Sequence, residues 1–228
     1  MRPKVAQLEE LHAQADACRR CQIGYTRTKV VCGVGNPASR LVLVGEGPGE
    51  NEDRQGEPFV GRAGELLNKM LAAIDLRRED VFITNTIKCR ASVEENGRVA
   101  NRAPLQEEMQ NCREYLDREL AIVRPRIILA LGAPAAKSFL GASFSITRQR
   151  GIWYAGPNGC DLMVTFHPAY ILRQTGGNMN EVKKLVWSDL QAVRKRLDET
   201  VEQARPPQEP VDQGRPPQQE PQLDLWQR

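Results

Sequence analysis

Four apolar runs stand out along the chain: RLVLVGE (40–46), DVFITNT (80–86), RIILALG (126–132) and DLMVTFHP (161–168). Three are near-continuous in apolar residues, the pattern of strands buried on both faces. Helical periods separate or flank them. Val5, Leu8, Leu11, Ala15 and Cys18 share one face, as do Leu67, Met70, Leu71 and Ile74. A third set is Met109, Cys112, Leu116, Leu120 and Val123, after a Pro104 suited to a helix's first turn. A fourth is Val182, Val186, Leu190, Val193 and Leu197. Strands alternating with helices predict an α/β fold, a central, mostly parallel four-stranded sheet flanked by helices.

Ligands in such folds bind beyond the carboxyl ends of the strands. Those ends read GEGPGE, TNTIKC, LGAPAA and HPAYILR. Three of the four carry unusual polar residues, which places the expected site there.

The pattern changes after residue 199. The stretch ARPPQEPVDQGRPPQQEPQ repeats a Pro/Gln/Glu unit and has almost no apolar residues before LDLW. It predicts a disordered linker over 200–221 and a terminal peptide at 222–228, following a folded domain at 1–199.

Composition adds modest constraints. Hydrophobic residues make up 40% of the 228, enough for a substantial core. No apolar run approaches the roughly 18 residues of a membrane span. The opening MRPKVAQLEELHAQ lacks the apolar segment of a signal peptide, so a cytoplasmic location is expected. Net charge is +3, but the tail from Thr200 holds three arginines against five acids. The body is therefore mildly basic, which permits nucleic-acid binding without requiring it.

Gly45, Gly47 and Gly49 invite a phosphate-loop reading, which Glu46, Glu50, Glu52 and Asp53 oppose by charge. No Lys-Ser or Lys-Thr follows the glycines either. Six cysteines in a cytoplasmic chain argue against structural disulfides. Cys18 and Cys21 form a C-x-x-C, Cys89 ends the second strand run, and Cys112 lies on the apolar face of the third helix. Convergence of these four would suit zinc or an iron–sulfur cluster; core or reactive thiols are the alternative. Cys32 and Cys160 read as small buried hydrophobes.

Several segments together resemble the family 4, iron–sulfur uracil-DNA glycosylases. They are GEGPGENEDRQGEPFVGRAGELL (45–67), VFITNTIKCR (81–90), NRAP (101–104), FSITRQRG (144–151) and HPAYILR (167–173), with the early C-x-x-C. The likeness spans about Leu8 to Asp198. It departs at ASVEENGRVA (91–100), where the family has a short Pro-containing link. The resemblance implies a three-layer sandwich and a 4Fe–4S cluster on Cys18, Cys21, Cys89 and Cys112, with a structural role.

The resemblance also implies base-excision repair: hydrolysis of the N-glycosidic bond of deoxyuridine in single- or double-stranded DNA by a cytoplasmic, nucleoid-associated bacterial monomer. His167 would donate to uracil O2, and Glu46 would act near C1′ as base or fixed charge. Gly47 and Pro48 would line the base, Phe59 would stack on it, Asn85 would read its edge, and Glu52 would lie against C5. Ile171 or Leu172 would fill the gap in the stack, and Arg173 and Arg148 would hold phosphates. The plain alternatives are a loop-capping histidine, a turn carboxylate, a core phenylalanine and a strand-ending asparagine.

Gln222, Leu223, Asp224, Leu225 and Trp226 resemble the peptide by which bacterial repair proteins bind the β sliding clamp. A terminus that docks on its own domain is the competing reading. For the body, a non-catalytic DNA-binding module, a glycosylase for another deaminated base and a nucleotide-binding protein are the alternatives.

Overall fold

A computed structural model of the chain describes residues 2–204. The strands are β1 (Val34–Gly35), β2 (Leu41–Gly45), β3 (Phe82–Asn85), β4 (Ser92–Glu95), β5 (Arg98–Asn101), β6 (Ile127–Leu131), β7 (Trp153–Ala155) and β8 (Asp161–Thr165). The α-helices are α1 (Lys4–Asp16), α2 (Ile23–Thr26), α3 (Glu50–Gln55), α4 (Arg62–Ala72), α5 (Gln106–Val123), α6 (Ala133–Leu140), α7 (Ile146–Gln149), α8 (Pro168–Leu172) and α9 (Gly176–Ala204).

The main sheet runs β1-β3-β2-β6-β8-β7. Its four central strands are parallel, as the apolar runs predict. The short edge strands β1 and β7 are antiparallel and extend the sheet to six. Both faces are covered. In β2, Leu41 and Leu43 enter the core shared with α4 and α9, while Val42 and Val44 enter the core shared with α1 and α5. In β6, Ile127, Leu129 and Leu131 alternate in the same way with Ile128 and Ala130. Full burial on both sides is why these strands read as unbroken apolar runs. Each large side chain so buried contributes about 1.5–3 kcal/mol.

The order of the parallel strands reverses between β2 and β6, so a crevice opens at their carboxyl ends. Helix α9 packs Val182, Val186, Leu190, Val193 and Leu197 across the sheet, all of them buried. It continues to Ala204, past the expected boundary at residue 199. The remainder of the linker and the terminal peptide, including Gln222 to Trp226, lie outside the described residues.

Three local readings change. Pro104 does not open the third helix, which begins at Gln106 behind Leu105. Val5 is exposed and Cys18 lies beyond the end of α1. The segment inserted after Cys89 forms a hairpin, β4 with β5, turning through Asn96 and Gly97 at φ of 53° and 72°. That pair of residues suits a two-residue hairpin turn.

Candidate active site

A cavity of about 860 Å³ lies at the carboxyl ends of the parallel strands. That is within the roughly 300–1,000 Å³ of small-molecule sites. Glu46 and Pro48 reach it from β2, Asn85 from β3, and His167 from β8, with Phe59 from the loop before α4.

The glycine loop is shaped by its neighbours. A Cβ at Gly45 would press on Asn85 Oδ1 and lie 2.6 Å from Phe59 Cζ. Only a glycine lets both side chains converge over the strand end. At Gly47 a Cβ would meet Ile87 Cγ1 at 2.7 Å, so this glycine serves close packing within the protein. The main chain of Glu46 is pinned because its carbonyl accepts from Thr86 Oγ1 and from Ile87 N at 3.2 Å.

The four acids of the loop separate by role. Glu52 turns inward and accepts from Gly49 N (3.2 Å), Val60 N (3.0 Å) and Gly61 N (3.0 Å). The chain's own carboxylate thus takes the backbone donors a phosphate would need, which removes the phosphate-loop reading. Asp53 is buried and accepts from Thr28 N. Glu50 is exposed beside Arg90. Glu46 lines the cavity, where burial pushes its carboxyl above the ordinary value.

His167 caps α8. Its Nδ1 accepts from Ala169 N at 3.1 Å. Burial first, then the Arg173 guanidinium, lowers its imidazole to about 4. The ring is therefore neutral at physiological pH, and with Nδ1 accepting, its proton sits on Nε2. Phe59 stacks against it with ring centroids 5.5 Å apart at 28°. Phe59 holds this position at a left-handed φ of 55°. Such strain persists where the surroundings over-determine it, often at functional sites.

The four cysteines expected to act together do converge. Cys18, Cys21, Cys89 and Cys112 surround a small cavity between α1, α2, the segment after β3, and α5. Arg27 Nη1 donates to Cys89 Sγ (3.0 Å) and Lys88 N to Cys112 Sγ (3.2 Å). Arg27 is nearly buried, and its nearest carboxylate, Asp16, is 4.0 Å away. A buried cation and N–H donors aimed at sulfur fit a negatively charged thiolate group. Four convergent cysteine sulfurs are the donor chemistry of a soft metal centre, zinc or iron–sulfur. Left as a free thiol, Cys112 is pushed up to about 12 by burial and is unreactive.

His12, Cys32 and Glu119 do lie within 4.8 Å of one another. Glu119, however, is committed to Gly33 N, Thr84 Oγ1 and the Lys88 ammonium. A second cation beside that ammonium would be repelled, so this trio reads as a structural network. Cys32 and Cys160 are buried, as expected.

Comparisons with known proteins place the chain in a family. The family model "Uracil DNA glycosylase superfamily" matches residues 32–191. A type-4 uracil-DNA glycosylase of Thermotoga maritima is 40% identical, over 82% of this chain and 93% of that protein. One from Archaeoglobus fulgidus is 41% identical, over 72% and 83%. The chain belongs to the type-4 uracil-DNA glycosylases. A weaker likeness, 30% identity over 62% of the chain, links it to a type-5 uracil-DNA glycosylase of Pyrobaculum aerophilum.

Against this family frame, Glu46, Gly47, Pro48, Glu52, Phe59, Asn85 and His167 all line one cavity. Ile171 and Leu172 part company: Ile171 is buried in the core and Leu172 is 40% exposed. Ile171 is thus excluded as a wedge. Arg173 lines the cavity, whereas exposed Arg148 lies outside its lining, on α7. Sequence reasoning missed Arg62 and Tyr170, which also border the cavity. Arg62 stands at the first turn of α4, directly after the FVG of the Phe59 loop, and that adjacency was the available signal.

Proposed function

We infer that the protein hydrolyses the N-glycosidic bond of deoxyuridine in DNA, releasing uracil and leaving an abasic site. The observation that carries this reading is the convergence of Glu46, Asn85, Phe59 and His167 on one cavity, in a chain of this family.

The target base leaves the stack and enters the cavity. Phe59 stacks on it, worth about 1–3 kcal/mol. The Asn85 amide accepts from N3–H and donates to O4. Cytosine presents the opposite pattern and would leave both groups unpaired, the strongest basis for rejection. Glu52, fixed by its three N–H bonds, stands toward C5, where thymine carries its methyl. As the C1′–N1 bond breaks, the electron pair passes to uracil and charge develops on O2. His167 Nε2–H donates to it, and a neutral imidazole does so without giving up its proton. Glu46 faces the sugar, stabilises its cationic character and orients the water that adds to C1′; the proton that water loses ends on the departing uracil anion, which leaves as neutral uracil. Leu172 fills the vacated stack, and Arg173 and Arg62 hold the backbone.

Cys18, Cys21, Cys89 and Cys112 would hold a 4Fe–4S cluster. Bound there, it supplies a four-point tie between the N-terminal helices, the segment after Asn85, and α5. Hydrolysis itself runs through the side chains already named. Among the described residues, no helix is long and apolar enough to cross a membrane, consistent with a cytoplasmic enzyme. The terminal peptide Gln222–Trp226 is proposed to bind the β sliding clamp. Deleting 222–228 should abolish clamp binding and leave activity on free oligonucleotides unchanged; equal clamp binding by the shortened chain would refute that partner.

The substrate is tested with matched oligonucleotides containing uracil, thymine, hypoxanthine or no lesion. Alkali-labile breaks are expected at uracil. Cleavage confined to hypoxanthine would move the assignment to another deaminated base.

A further inference from the structure

The turn after β3 is closed by a buried ammonium. Lys88 is 1% exposed. Its Nζ donates to the Asn85 main-chain carbonyl, to Thr84 Oγ1 and to Glu119 Oε2, each at 2.7 Å. An ammonium has three protons, so every donor is used. Glu119, equally buried, also accepts from Thr84 Oγ1 (2.6 Å) and Gly33 N (2.8 Å). The main chain of Lys88 is held as well, with its N–H on Cys112 Sγ and its carbonyl accepting from Val31 N at 2.8 Å.

Burying both ions carries a desolvation cost that their attraction offsets only in part. Apolar residues of similar volume often stabilise a fold as well or better. What an apolar residue does not do is hold a carbonyl. The carbonyl held here belongs to Asn85, the last residue of β3, whose register partner Gly45 ends β2. Past that point Thr86 N and Ile87 N bond to the carbonyls of Gly45 and Glu46, which fixes one side of the departing chain. Lys88 fixes the other side, on the peptide that carries the Asn85 side chain into the cavity.

We propose that Lys88 is a positioning residue for base recognition: its ammonium, balanced by Glu119, fixes the Asn85 peptide and so aims the Asn85 amide at the uracil edge. This rests on the reading of Asn85 given above. The protein spends a buried charge here on direction, not on stability.

The test compares wild-type holoprotein with Asn85→Ala, Lys88→Met and the compensated pair Lys88→Met/Glu119→Leu. Lys88→Met alone leaves Glu119 buried without its cation and is the variant most exposed to misfolding. The pair removes both ions together. Iron content and melting temperature report the fold. Affinity for DNA bearing an abasic-site analogue reports backbone binding. Inhibition by free uracil reports the base pocket. The compensated pair is expected to keep its iron and its abasic-DNA affinity. Its Ki for free uracil should rise about tenfold, the loss of one well-aimed hydrogen bond, with kcat/KM falling by a similar factor. Unchanged Ki and kcat/KM in a folded variant would overturn the proposal. So would equal weakening of uracil and abasic-DNA binding, or failure of both variants to fold, since each assigns Lys88 to stability alone. If Asn85→Ala keeps the wild-type Ki, the reading of Asn85 fails and takes this proposal with it. A wild-type protein that leaves uracil in DNA would instead refute the reaction itself.

Discussion

Glu46 and His167 sit in one cavity, and burial moves their proton affinities in opposite directions. It raises the Glu46 carboxyl and lowers the His167 imidazole to about 4. In the proposed reaction the working forms are carboxylate and neutral imidazole, so both require pH above the respective values. Activity should rise with pH through the elevated pKa of Glu46 and then stay level, because His167 has already lost its proton. Glu46→Gln should lower kcat by about 10²–10⁴ and abolish that acid limb. A limb that persists in Glu46→Gln would assign it to another group. His167→Ala should cost about 10²–10³ in kcat with little change in DNA affinity. Nitrogen NMR of the imidazole should report an Nε2–H tautomer from about pH 5 to pH 9. Glu52 behaves differently from either, since its three backbone bonds make it a brace for the Phe59 loop.

At the scale of elements, the site is assembled where strands end. Gly45→Ala would drive a methyl between Asn85 and Phe59 and should destabilise the fold by about 1–3 kcal/mol. Its Ki for uracil should rise together with that loss. Thermal melting and uracil inhibition would check both. Cys112→Ser should lower iron stoichiometry and increase amide exchange across α1 and α2, with the sheet core unaffected. The parallel strands were legible in the sequence because burial on both faces leaves a continuous apolar run. The edge strands were not, because β1 and β7 have two and three residues and no full apolar face. The hairpin β4–β5 carried its Asn96–Gly97 signal, but its strands are almost wholly exposed and only Val93, Val99 and Ala100 are apolar. The candidate site residues were legible through motif order. Their braces were not: the Lys88–Glu119 pair joins residues far apart in sequence and leaves no periodic trace. Nothing local distinguished Ile171 from Leu172 either, and only the packing of α8 separates them.

At the scale of the molecule, the cavity mouth carries exposed Arg62 and Arg173, while Arg102 is bound to Glu108 at 2.6 and 2.8 Å. Arg62→Ala and Arg173→Ala should each weaken DNA binding across sequences and reduce its salt slope by about one. Arg102→Ala should chiefly lower stability. In the proposed reaction water replaces uracil at C1′. Its most direct test is reaction of a uracil-containing strand in heavy-oxygen water, with both products read by mass spectrometry. Unlabelled free uracil and an abasic strand that carries the heavy oxygen are expected. An intact strand, or a covalent protein–DNA adduct with no free abasic product, would contradict it.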